Sequence, residues 1–576
     1  MSRVKYYIYH LAVSKPAQYC FPMTEKLTLQ SIFLETCRKW PERPALGSVG
    51  TPLRTYSEVL GDAAGWAEWF TSLGMKQGDR VAILAESRAE WGAVYFGAVT
   101  AGFAAVPILP DFAPAQVAHI LEHSESSAAV VSERSTASMN KALEMSETLT
   151  SSFPIARMND GLILSGASEG QTIQPSDRPD DVFHVTVQPG DMASLLYTSG
   201  TTGTSKGVML SHNAIARNAV TGYEAGLQGN YENMVALSVL PLAHTYECTV
   251  GLVGMVAYGG QTHYLDGPPT PSRLLKALSI VRPSIMLTVP LLMEKIFRSR
   301  ISGPIKSKPV LRKLYKLPPM RWLIHQLAGK KVKQLFGGRL RFYGIGGAPL
   351  PGDVERFLRD AKFPYSVGYG LTETAPLLAG GDPRLMSYRS TGTVLKDVTI
   401  RIHDPNAEGV GEIQALSPSV MLGYWNDEER TKAAFTEDGW FRTGDLGMFA
   451  KGKLFIKGRL KDVLLGSNGE NIYPDEVETV LNGQNLVAES LAYIMDGRLV
   501  ARILLDTEKI SAEITKRGLV GTERINEWKN EMMDNIRKEA NKHLGRNSRI
   551  HAFIEQTIPF EKTPSLKIKR FLYTGA

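Results

Sequence analysis

A run rich in glycine and hydroxyl residues, Leu196-Tyr-Thr-Ser-Gly-Thr-Thr-Gly-Thr-Ser-Lys-Gly207, has the composition of a phosphate-binding loop. Glycines allow backbone N–H groups to turn toward one point, serine and threonine hydroxyls add donors, and Lys206 adds a positive charge. The run is not a Walker A loop, because Ser205 precedes the lysine and Gly207 follows it. Taken alone, this composition is equally typical of a flexible surface loop, so the interpretation depends on the segments that accompany it.

Two later segments have the residue types of a nucleotide site. The glycines of Tyr343-Gly-Ile-Gly-Gly-Ala-Pro-Leu350 would let a flat ligand lie against bare backbone, although a tight turn explains them equally well. The segment Ser366-Val-Gly-Tyr-Gly-Leu-Thr-Glu-Thr374 offers an aromatic face in Tyr369, a hydroxyl in Thr372 and a carboxylate in Glu373. One carboxylate together with phosphate oxygens is the usual way in which proteins hold Mg²⁺. Glu373 is therefore the candidate magnesium ligand.

Three more segments have polar residues that could take part in chemistry. The stretch Gly439-Trp-Phe-Arg-Thr-Gly-Asp-Leu-Gly447 is predicted to end a strand at Asp445, where an acidic side chain suits the two hydroxyls of a ribose. His244 and Glu247 stand three residues apart at the edge of an apolar stretch, where a histidine is more often a packed core residue. Lys567 belongs to a basic tail that, by itself, indicates only solvated charge.

The elements that would position these residues alternate between helices and short strands. Runs such as 81–84, 128–132 and 284–288 are β-branched and apolar, and apolar-periodic helices separate them. This alternation predicts an α/β fold with layered, largely parallel sheets. A helix is expected to begin at Ser211, directly after the glycine-rich run.

Short strands separated by turn residues follow position 407 and predict a smaller β-rich subdomain. The polar, glycine-bearing string Lys457-Gly-Arg-Leu-Lys-Asp462 separates two apolar strands, 453–456 and 463–465, so we place a domain boundary there. The expected organisation is an N-terminal appendage at 1–22, a large domain at 23–459, and a small mobile α+β domain at 460–576.

The uncharged run between Glu90 and Asp111 has about the length of a membrane span. Several glycines and prolines interrupt it, so we expect a buried helix over 89–101 and a buried strand over 105–109. Three widely spaced cysteines, with no C-x-x-C pair, argue against a disulfide framework or a structural zinc site and favour a reducing, cytoplasmic location. Residues 1–22 do not have the pattern of a signal peptide.

Positive charge is concentrated in one part of the chain. Residues 295–352 contain fourteen lysines and arginines and no acidic residue, whereas the whole chain has a formal net charge of only +7. Leucines and Trp322 stand among these charges. The segment is either a solvated basic face, or a surface for anionic lipid or an anionic cosubstrate. Nucleic acid is not expected as a partner, because no groove-reading motif accompanies the charges.

Together the motifs resemble those of the AMP-forming adenylating enzymes, and most of all those of long-chain fatty acid–CoA ligases. The resemblance extends from about Leu27 to Arg570, with the motifs in the order of that family. It implies activation of a fatty acid with ATP and Mg²⁺ to an acyl-AMP, followed by transfer to coenzyme A. An acyl carrier protein as acceptor, or an aryl or short-chain acid as substrate, stays open as an alternative.

The resemblance also implies roles for individual residues. The ATP phosphates would be bound by Thr198, Ser199, Gly200, Thr201, Thr202, Gly203, Thr204 and Lys206. The adenine would be flanked by Gly347, Ala348 and Pro349, with Tyr369 stacked on it and Gly370 beside it. Thr372 would contact the α-phosphate, Glu373 would bind Mg²⁺, and Asp445 and Arg459 would hold the ribose.

The remaining implied roles concern catalysis and the second half-reaction. Lys567 would meet the substrate carboxylate and the α-phosphate, and His244 would line the acyl pocket. Lys461 would be the hinge of the small domain, and Gly469 would let the pantetheine of coenzyme A pass. One position departs from the family pattern: the residue before the final lysine, usually glycine, is Leu566 here. This change makes the loop stiffer and weakens the assignment of Lys567 relative to that of Lys206.

Overall fold

The computed structural model of the protein describes residues 27–198, 205–465, 471–545, 548–562 and 568–574. The predicted appendage at 1–22 lies outside these ranges. Six of the predicted phosphate-loop residues (199–204), Gly469 and Lys567 also lie outside the described residues.

The strands, in chain order, are β1 (Pro44–Ser48), β2 (Arg54–Thr55), β3 (Arg80–Leu84), β4 (Ala104–Ile108), β5 (Ser126–Val131), β6 (Ile155–Arg157), β7 (Ile163–Ser165), β8 (Met192–Thr198), β9 (Lys206–Ser211), β10 (Val235–Ser238), β11 (Gln261–Tyr264), β12 (Ile285–Thr288), β13 (Phe342–Ile345), β14 (Tyr365–Val367), β15 (Tyr369–Gly370), β16 (Leu377–Gly380), β17 (Thr393–Val394), β18 (Thr399–His403), β19 (Gly411–Leu416), β20 (Gly423–Tyr424), β21 (Phe441–Ala450), β22 (Lys453–Arg459), β23 (Leu464–Leu465), β24 (Asn471–Ile472), β25 (Val487–Met495), β26 (Arg498–Leu505) and β27 (Ala552–Gln556).

The α-helices are α1 (Leu29–Lys39), α2 (Tyr56–Ser72), α3 (Ala89–Thr100), α4 (Pro114–His123), α5 (Thr136–Met145), α6 (Pro179–Val182), α7 (His212–Leu227), α8 (Gly254–Ala257), α9 (Pro271–Val281), α10 (Pro290–Phe297), α11 (Gly303–Ser307), α12 (Pro309–Tyr315), α13 (Pro318–Leu335), α14 (Gly352–Asp360), α15 (Glu428–Ala434), α16 (Pro474–Asn482), α17 (Thr507–Arg517) and α18 (Thr522–Asn541). Two π-helical segments, Tyr246–Val253 and Arg298–Ser302, precede α8 and α11.

Two large sheets with helices between them dominate the fold. The first has the strand order β20-β9-β8-β4-β3-β5-β6-β7, and the second has the order β14-β13-β12-β10-β11-β1-β2. Their central pairs are parallel, and antiparallel pairs occur toward the edges, at β6-β7, β8-β9, β9-β20 and β1-β2. The prediction of layered α/β sheets with mainly parallel pairing is confirmed.

Helix α3 explains the long uncharged run of the sequence. The residues of α3 belong to a hydrophobic cluster that also contains Val81 and Ile83 of the first sheet and Ile285 and Leu287 of the second. The helix therefore lies between two apolar surfaces. A helix that is buried on all sides needs no polar face. The predicted helix and the following strand are confirmed as α3 and β4. None of the helices in the described ranges has both the length and the apolar character needed to cross a membrane.

A smaller antiparallel sheet follows, as predicted, with the order β18-β19-β21-β22. One detail of the prediction was wrong: Asp445 does not end a strand but stands in the middle of β21, which continues to Ala450. The pairing with β22 shifts register beside it, between Leu446 and Gly447, and Gly444 has a φ of +68°. This irregularity, which the neighbouring glycines indicate, changes the local direction of the Asp445 side chain without ending the strand.

The C-terminal elements have a hydrophobic core of their own. Strands β25, β26 and β27 form one sheet. Helix α16 contributes Val477 and Leu481, β26 contributes Ile503 and α18 contributes Ala540 to one core cluster. The predicted boundary between residues 459 and 460 stays a prediction.

Candidate functional site

The ends of an antiparallel hairpin frame the glycine-rich run. Strands β8 and β9 pair directly, and their last pair joins Thr198 to Lys206, so these two residues stand at the base of the predicted phosphate loop. The helix expected from Ser211 is α7, whose N-cap Ser211 accepts a hydrogen bond from the Ala214 N–H at 3.1 Å. The sequence did not predict β9, which is only six residues long and has three consecutive apolar residues, Val208, Met209 and Leu210.

The side chain of Lys206 ends in a compact polar cluster. Its Nζ donates to Glu373 Oε1 at 2.6 Å and to the Tyr424 hydroxyl at 2.8 Å, and the same hydroxyl donates to Glu373 Oε1 at 3.0 Å. Burial by itself would raise the pKa of the Glu373 carboxyl, but the Lys206 ammonium and the hydrogen bonds outweigh burial and hold this pKa below its usual range. The cluster therefore contains a carboxylate that stays charged although its side chain is only 9% exposed.

The backbone around Glu373 fixes its direction. Glu373 lies in a 3₁₀ turn, Thr372–Thr374, and its carbonyl accepts a hydrogen bond from the Met421 N–H at 2.8 Å. Thr372, the predicted α-phosphate contact, is half-buried next to it. Gly370 must be glycine, because a Cβ atom at this position would come within 1.8 Å of the Pro376 carbonyl oxygen.

A second buried carboxylate lies where the ribose contact is predicted. Asp445 Oδ2 accepts a hydrogen bond from the Tyr369 hydroxyl at 2.9 Å, and Arg459 Nε lies 3.3 Å from Asp445 Oδ1. Asp445 and Arg459 are direct cross-strand partners on β21 and β22. Tyr369 is itself buried, which raises the pKa of its phenol well above the usual value. The structure thus brings together Tyr369, predicted to stack on the adenine, with Asp445 and Arg459, predicted to hold the ribose.

The segment predicted to flank the adenine forms an exposed turn after β13. Gly347, Ala348 and Pro349 are all exposed, and Gly347 has a φ of +84°, a conformation that strongly favours glycine.

The predicted hinge residue, Lys461, lies in the 3₁₀ turn Leu460–Asp462 that follows Arg459. Desolvation lowers the pKa of Lys461, the neighbouring carboxylate of Asp462 opposes this, and the positive charges of Arg459 and Lys206 lower it further. Lys461 therefore lies within electrostatic range of Lys206.

An apolar cavity opens beside the polar clusters. It lies between α7, the π-helical segment Tyr246–Val253, and strands β12 and β13, and its walls include Gly222, Tyr223, Gly226, Tyr246, Leu287, Phe342 and Gly344. Gly368 also lines it, and Tyr369, the next residue, donates to Asp445. The cavity and the polar site therefore meet at Gly368 and Tyr369.

His244, predicted to line an acyl pocket, is exposed just before the π-helical segment, and its Nδ1 accepts a hydrogen bond from the Tyr246 N–H at 3.2 Å. Tyr246, two residues further on, lines the cavity. Glu247, in contrast, is only 2% exposed, and burial raises the pKa of its carboxyl to about 8. The histidine and the glutamate, although close in sequence, therefore occupy different environments.

Sequence reasoning missed Tyr424 and the cavity residues of α7. Gly222 and Gly226 are four residues apart and so share one face of the helix, a spacing that could have indicated space for a ligand. Tyr424 is part of a Gly-Tyr-Trp string with no chemical signature of its own. Only its pairing with β9 brings it to Lys206.

Described residues before and after Lys567 make defined contacts. An isolated antiparallel bridge joins Lys562 to Ile568. Arg570 Nη2 lies 2.6 Å from Glu478 Oε2. The described chain thus resumes directly after Lys567 at an anchored position.

Curated proteins similar to this chain are long-chain fatty acid ligases. Long-chain-fatty-acid–CoA ligase heimdall of Drosophila melanogaster is 26% identical over 83% of this chain and 76% of its own length. Long chain acyl-CoA synthetase 7, peroxisomal, of Arabidopsis thaliana is 28% identical over 94% of this chain and 84% of its own length.

Solved structures share the fold. The O-succinylbenzoate coenzyme A synthetase (MenE) of Bacillus subtilis, in complex with AMP, aligns with a TM-score of 0.69 over 95% of this chain and 98% of its own, at 22% identity. The model of the family described as AMP-binding enzyme matches residues 33–425, a range that holds Lys206, Glu373 and Tyr424. The chain therefore belongs to the AMP-binding enzyme family.

Proposed function

We propose that this chain is an AMP-forming ligase that activates a medium- to long-chain fatty acid with ATP and transfers the acyl group to coenzyme A. The observation that carries the proposal is the junction of the apolar cavity with the polar site. Gly368 lines the cavity, and the next residue, Tyr369, donates a hydrogen bond to Asp445 of the polar site. The apolar walls suit an acyl chain and the polar site suits its carboxylate, so a substrate with both parts would span this junction. The similarity to long-chain ligases supports the same substrate class.

In the first half-reaction, an oxygen of the carboxylate attacks the α-phosphorus of ATP and forms a C–O–P link. The bond from the α-phosphorus to the bridging oxygen breaks, and pyrophosphate leaves with that electron pair. Because two anions must approach each other, positive charge at the site lowers the barrier. Lys206 and Lys567 are the residues that we assign to this task. A site closed to water protects the acyl-AMP from hydrolysis.

The donor set of the site fits Mg²⁺. Glu373 supplies one buried carboxylate, and within the described residues no group of three or more His, Cys, Asp or Glu side chains could form an all-protein cage. Mg²⁺ is usually bound by one or two carboxylates together with substrate phosphates and water. When bound, it would neutralise charge on the phosphate oxygens. We therefore propose Glu373 as its protein ligand.

In the second half-reaction, the thiol of coenzyme A attacks the acyl carbon, the bond from that carbon to the AMP oxygen breaks, and the thiol proton is released. A thiolate is partly available near neutral pH, so strong general-base help is unnecessary. The proposed hinge at Lys461 would let the small domain exchange Lys567 for the segment that holds Gly469. Lys567 then has no further role.

ATP–pyrophosphate exchange across carboxylic acids of increasing chain length tests the proposal. We expect exchange to depend on a fatty acid and on Mg²⁺, and acyl-CoA to form when coenzyme A is added. If fatty acids support no exchange and an aryl or short-chain acid supports strong exchange, the substrate belongs to that acid class instead.

A carrier protein is the competing acceptor. The basic segment at 295–352 would suit an acidic carrier protein as well as coenzyme A. Supplying each thiol separately to enzyme loaded with acyl-AMP decides between them. The proposal predicts faster transfer to coenzyme A.

We also propose that the basic segment makes peripheral contact with anionic membranes. Five apolar side chains on α12, α13 and the N-cap of α13 are exposed by 43–70%, namely Val310, Leu317, Trp322, Leu323 and Leu327. Exposed cations accompany them on the same helices and their flanks, namely Lys308, Arg312, Lys313, Lys316, Lys330 and Lys331. Apolar side chains and cations together are what a peripheral membrane helix requires, and each cation near an anionic surface contributes about 1 kcal/mol.

Neutralising Lys308, Arg312, Lys313 and Lys316 to glutamine is expected to weaken binding to anionic vesicles and leave turnover of short, soluble acids unchanged. Binding by the parent should decrease as salt rises, because salt screens such charges. Co-sedimentation with anionic and neutral vesicles measures both effects. The fold should tolerate the change, since the buried His325 joins the Tyr315 hydroxyl and Asp360 Oδ2, both at 2.7 Å, and so ties α12 and α13 to α14.

The matched control removes the same amount of charge from exposed positions of α17, α18 and the C-cap of α18. It neutralises Lys516, Arg517, Lys538 and Lys542. Equal loss of binding in both variants would mean that only net charge matters. Unchanged binding in the first variant would make the segment an ordinary solvated face.

A further inference from the structure

Tyr424 is brought to the phosphate site by strand pairing. Strand β20 pairs antiparallel with β9, so that Tyr424 stands opposite Val208, and the Trp425 N–H donates to the Gly207 carbonyl at 2.8 Å. The Tyr424 N–H in turn donates to Thr431 Oγ1 at 2.9 Å. These bonds fix the backbone of Tyr424 on both sides of its strand. Its partner Val208 lies two residues after Lys206 in β9.

The hydroxyl of Tyr424 links the two charged groups of the site. It accepts from Lys206 Nζ at 2.8 Å and donates to Glu373 Oε1 at 3.0 Å, and the ammonium lies 4.4 Å from the centre of its ring. The phenol is therefore a neutral group that serves the cation as acceptor and the carboxylate as donor. Tyr424 is only 7% exposed, so water competes little for these bonds.

A divalent cation bound to Glu373 would repel the ammonium of Lys206. Its Nζ lies 2.6 Å from Oε1, and a divalent cation on the same carboxylate would be a close like charge at low effective dielectric. That repulsion would favour a position of the ammonium farther from Glu373 and closer to the phosphates of a bound nucleotide. Of the three side chains in the cluster, only Tyr424 is a neutral donor that can keep its hydrogen bond to the carboxylate after this exchange.

We propose that Tyr424 is a positioning residue that orients the Glu373 carboxylate for the metal while Lys206 exchanges its partner. This inference rests on the proposed function, because it assumes that Mg²⁺ and ATP bind at this cluster. Groups that hold a metal-binding carboxylate in place commonly change metal affinity or activity 10- to 100-fold when they are removed. Tyr424 is expected to act at that scale through Glu373, without touching the reacting atoms.

Tyr424→Phe removes the hydroxyl and keeps the ring. We expect Mg²⁺-dependent binding of a non-hydrolysable ATP analogue to weaken by about tenfold or more, with a matching rise in the Mg²⁺ concentration that half-saturates adenylation. AMP binding without metal should stay within about twofold of the parent, because its predicted contacts, Asp445 and Arg459, are untouched. Calorimetric titrations with each nucleotide, with no acid present, give both values.

Tyr56→Phe is the matched control, since its hydroxyl is also buried and donates to the Gly260 carbonyl at 2.6 Å, away from the cluster. It should leave both titrations unchanged. Metal-dependent binding by Tyr424→Phe within twofold of the parent would overturn the inference, and so would an equal loss of AMP and metal–nucleotide binding. If the parent itself binds no AMP, the proposed function fails instead.

Discussion

Replacing Lys567 by alanine is expected to slow acyl-AMP formation by more than about a hundredfold and to leave acyl transfer from supplied acyl-AMP nearly intact. The positive charge is needed only where the substrate carboxylate and the α-phosphate meet. Loss of one such electrostatic contact typically costs about 10²- to 10³-fold in rate. Pyrophosphate exchange measures the first half-reaction, and thioester formation from synthetic acyl-AMP measures the second.

Lys569→Ala is the matched control for this experiment. Lys569 is two residues away in the same tail, and its Nζ lies 3.4 Å from Glu561 Oε2 in an exposed ion pair of little energetic weight. Both half-reactions should proceed normally in this variant. The tail should keep its fold in either case, because Arg570 remains bound to Glu478 and to the Ala492 carbonyl. An equal loss in both half-reactions of Lys567→Ala would contradict the role assigned to this lysine.

The local elements could be predicted from the sequence because their signals are local. The β-branched run before Leu84 and the uniformly apolar run around Phe96 each lie within one element, and their burial follows from composition alone. The strand β9 was missed because it is short, has no polar/apolar alternation and directly follows a glycine-rich run. Asp445 was misplaced because a bulge has the same turn residues as the end of a strand.

The candidate site could be predicted only where a motif carries chemistry in its own residues. Glu373 and Asp445 are carboxylates in segments rich in glycine, threonine and aromatic residues, so their segments were recognisable. Tyr424 is 218 residues from Lys206 in the chain, and the residues next to it in the sequence give no indication of the contact. Such a contact depends on the pairing of two strands that are far apart in sequence, which no local pattern encodes.

Glu373→Gln is the second change from which we expect a large effect, a fall in adenylation of about a hundredfold or more and a higher Mg²⁺ requirement. An amide keeps the shape of the side chain but loses its charge, and hard divalent cations prefer carboxylate oxygens. The parent carboxyl is charged throughout the neutral range, because Lys206 and the hydrogen bonds outweigh the effect of burial and hold its pKa below the usual value. The substitution therefore removes a full negative charge at every pH used for the assay.

The fold should survive this substitution, which separates the metal role from a structural one. Lys206 keeps the Tyr424 hydroxyl as a partner and is partly solvated, with 26% of its side chain exposed. The Met421 N–H bonds to the backbone of residue 373 and not to its side chain. A thermal unfolding midpoint close to that of the parent, together with a shifted Mg²⁺ titration, is the expected pair of results.

Glu355→Gln provides the control, because Glu355 is also a buried carboxylate that accepts a tyrosine hydroxyl, that of Tyr365 at 3.2 Å. A general penalty for removing a buried negative charge would affect both variants alike, whereas a metal ligand changes the Mg²⁺ titration only in Glu373→Gln. If the magnesium requirement of Glu373→Gln equals that of the parent, the cation is held by other residues. The ion pair with Lys206 would then serve only to position the lysine for the phosphates.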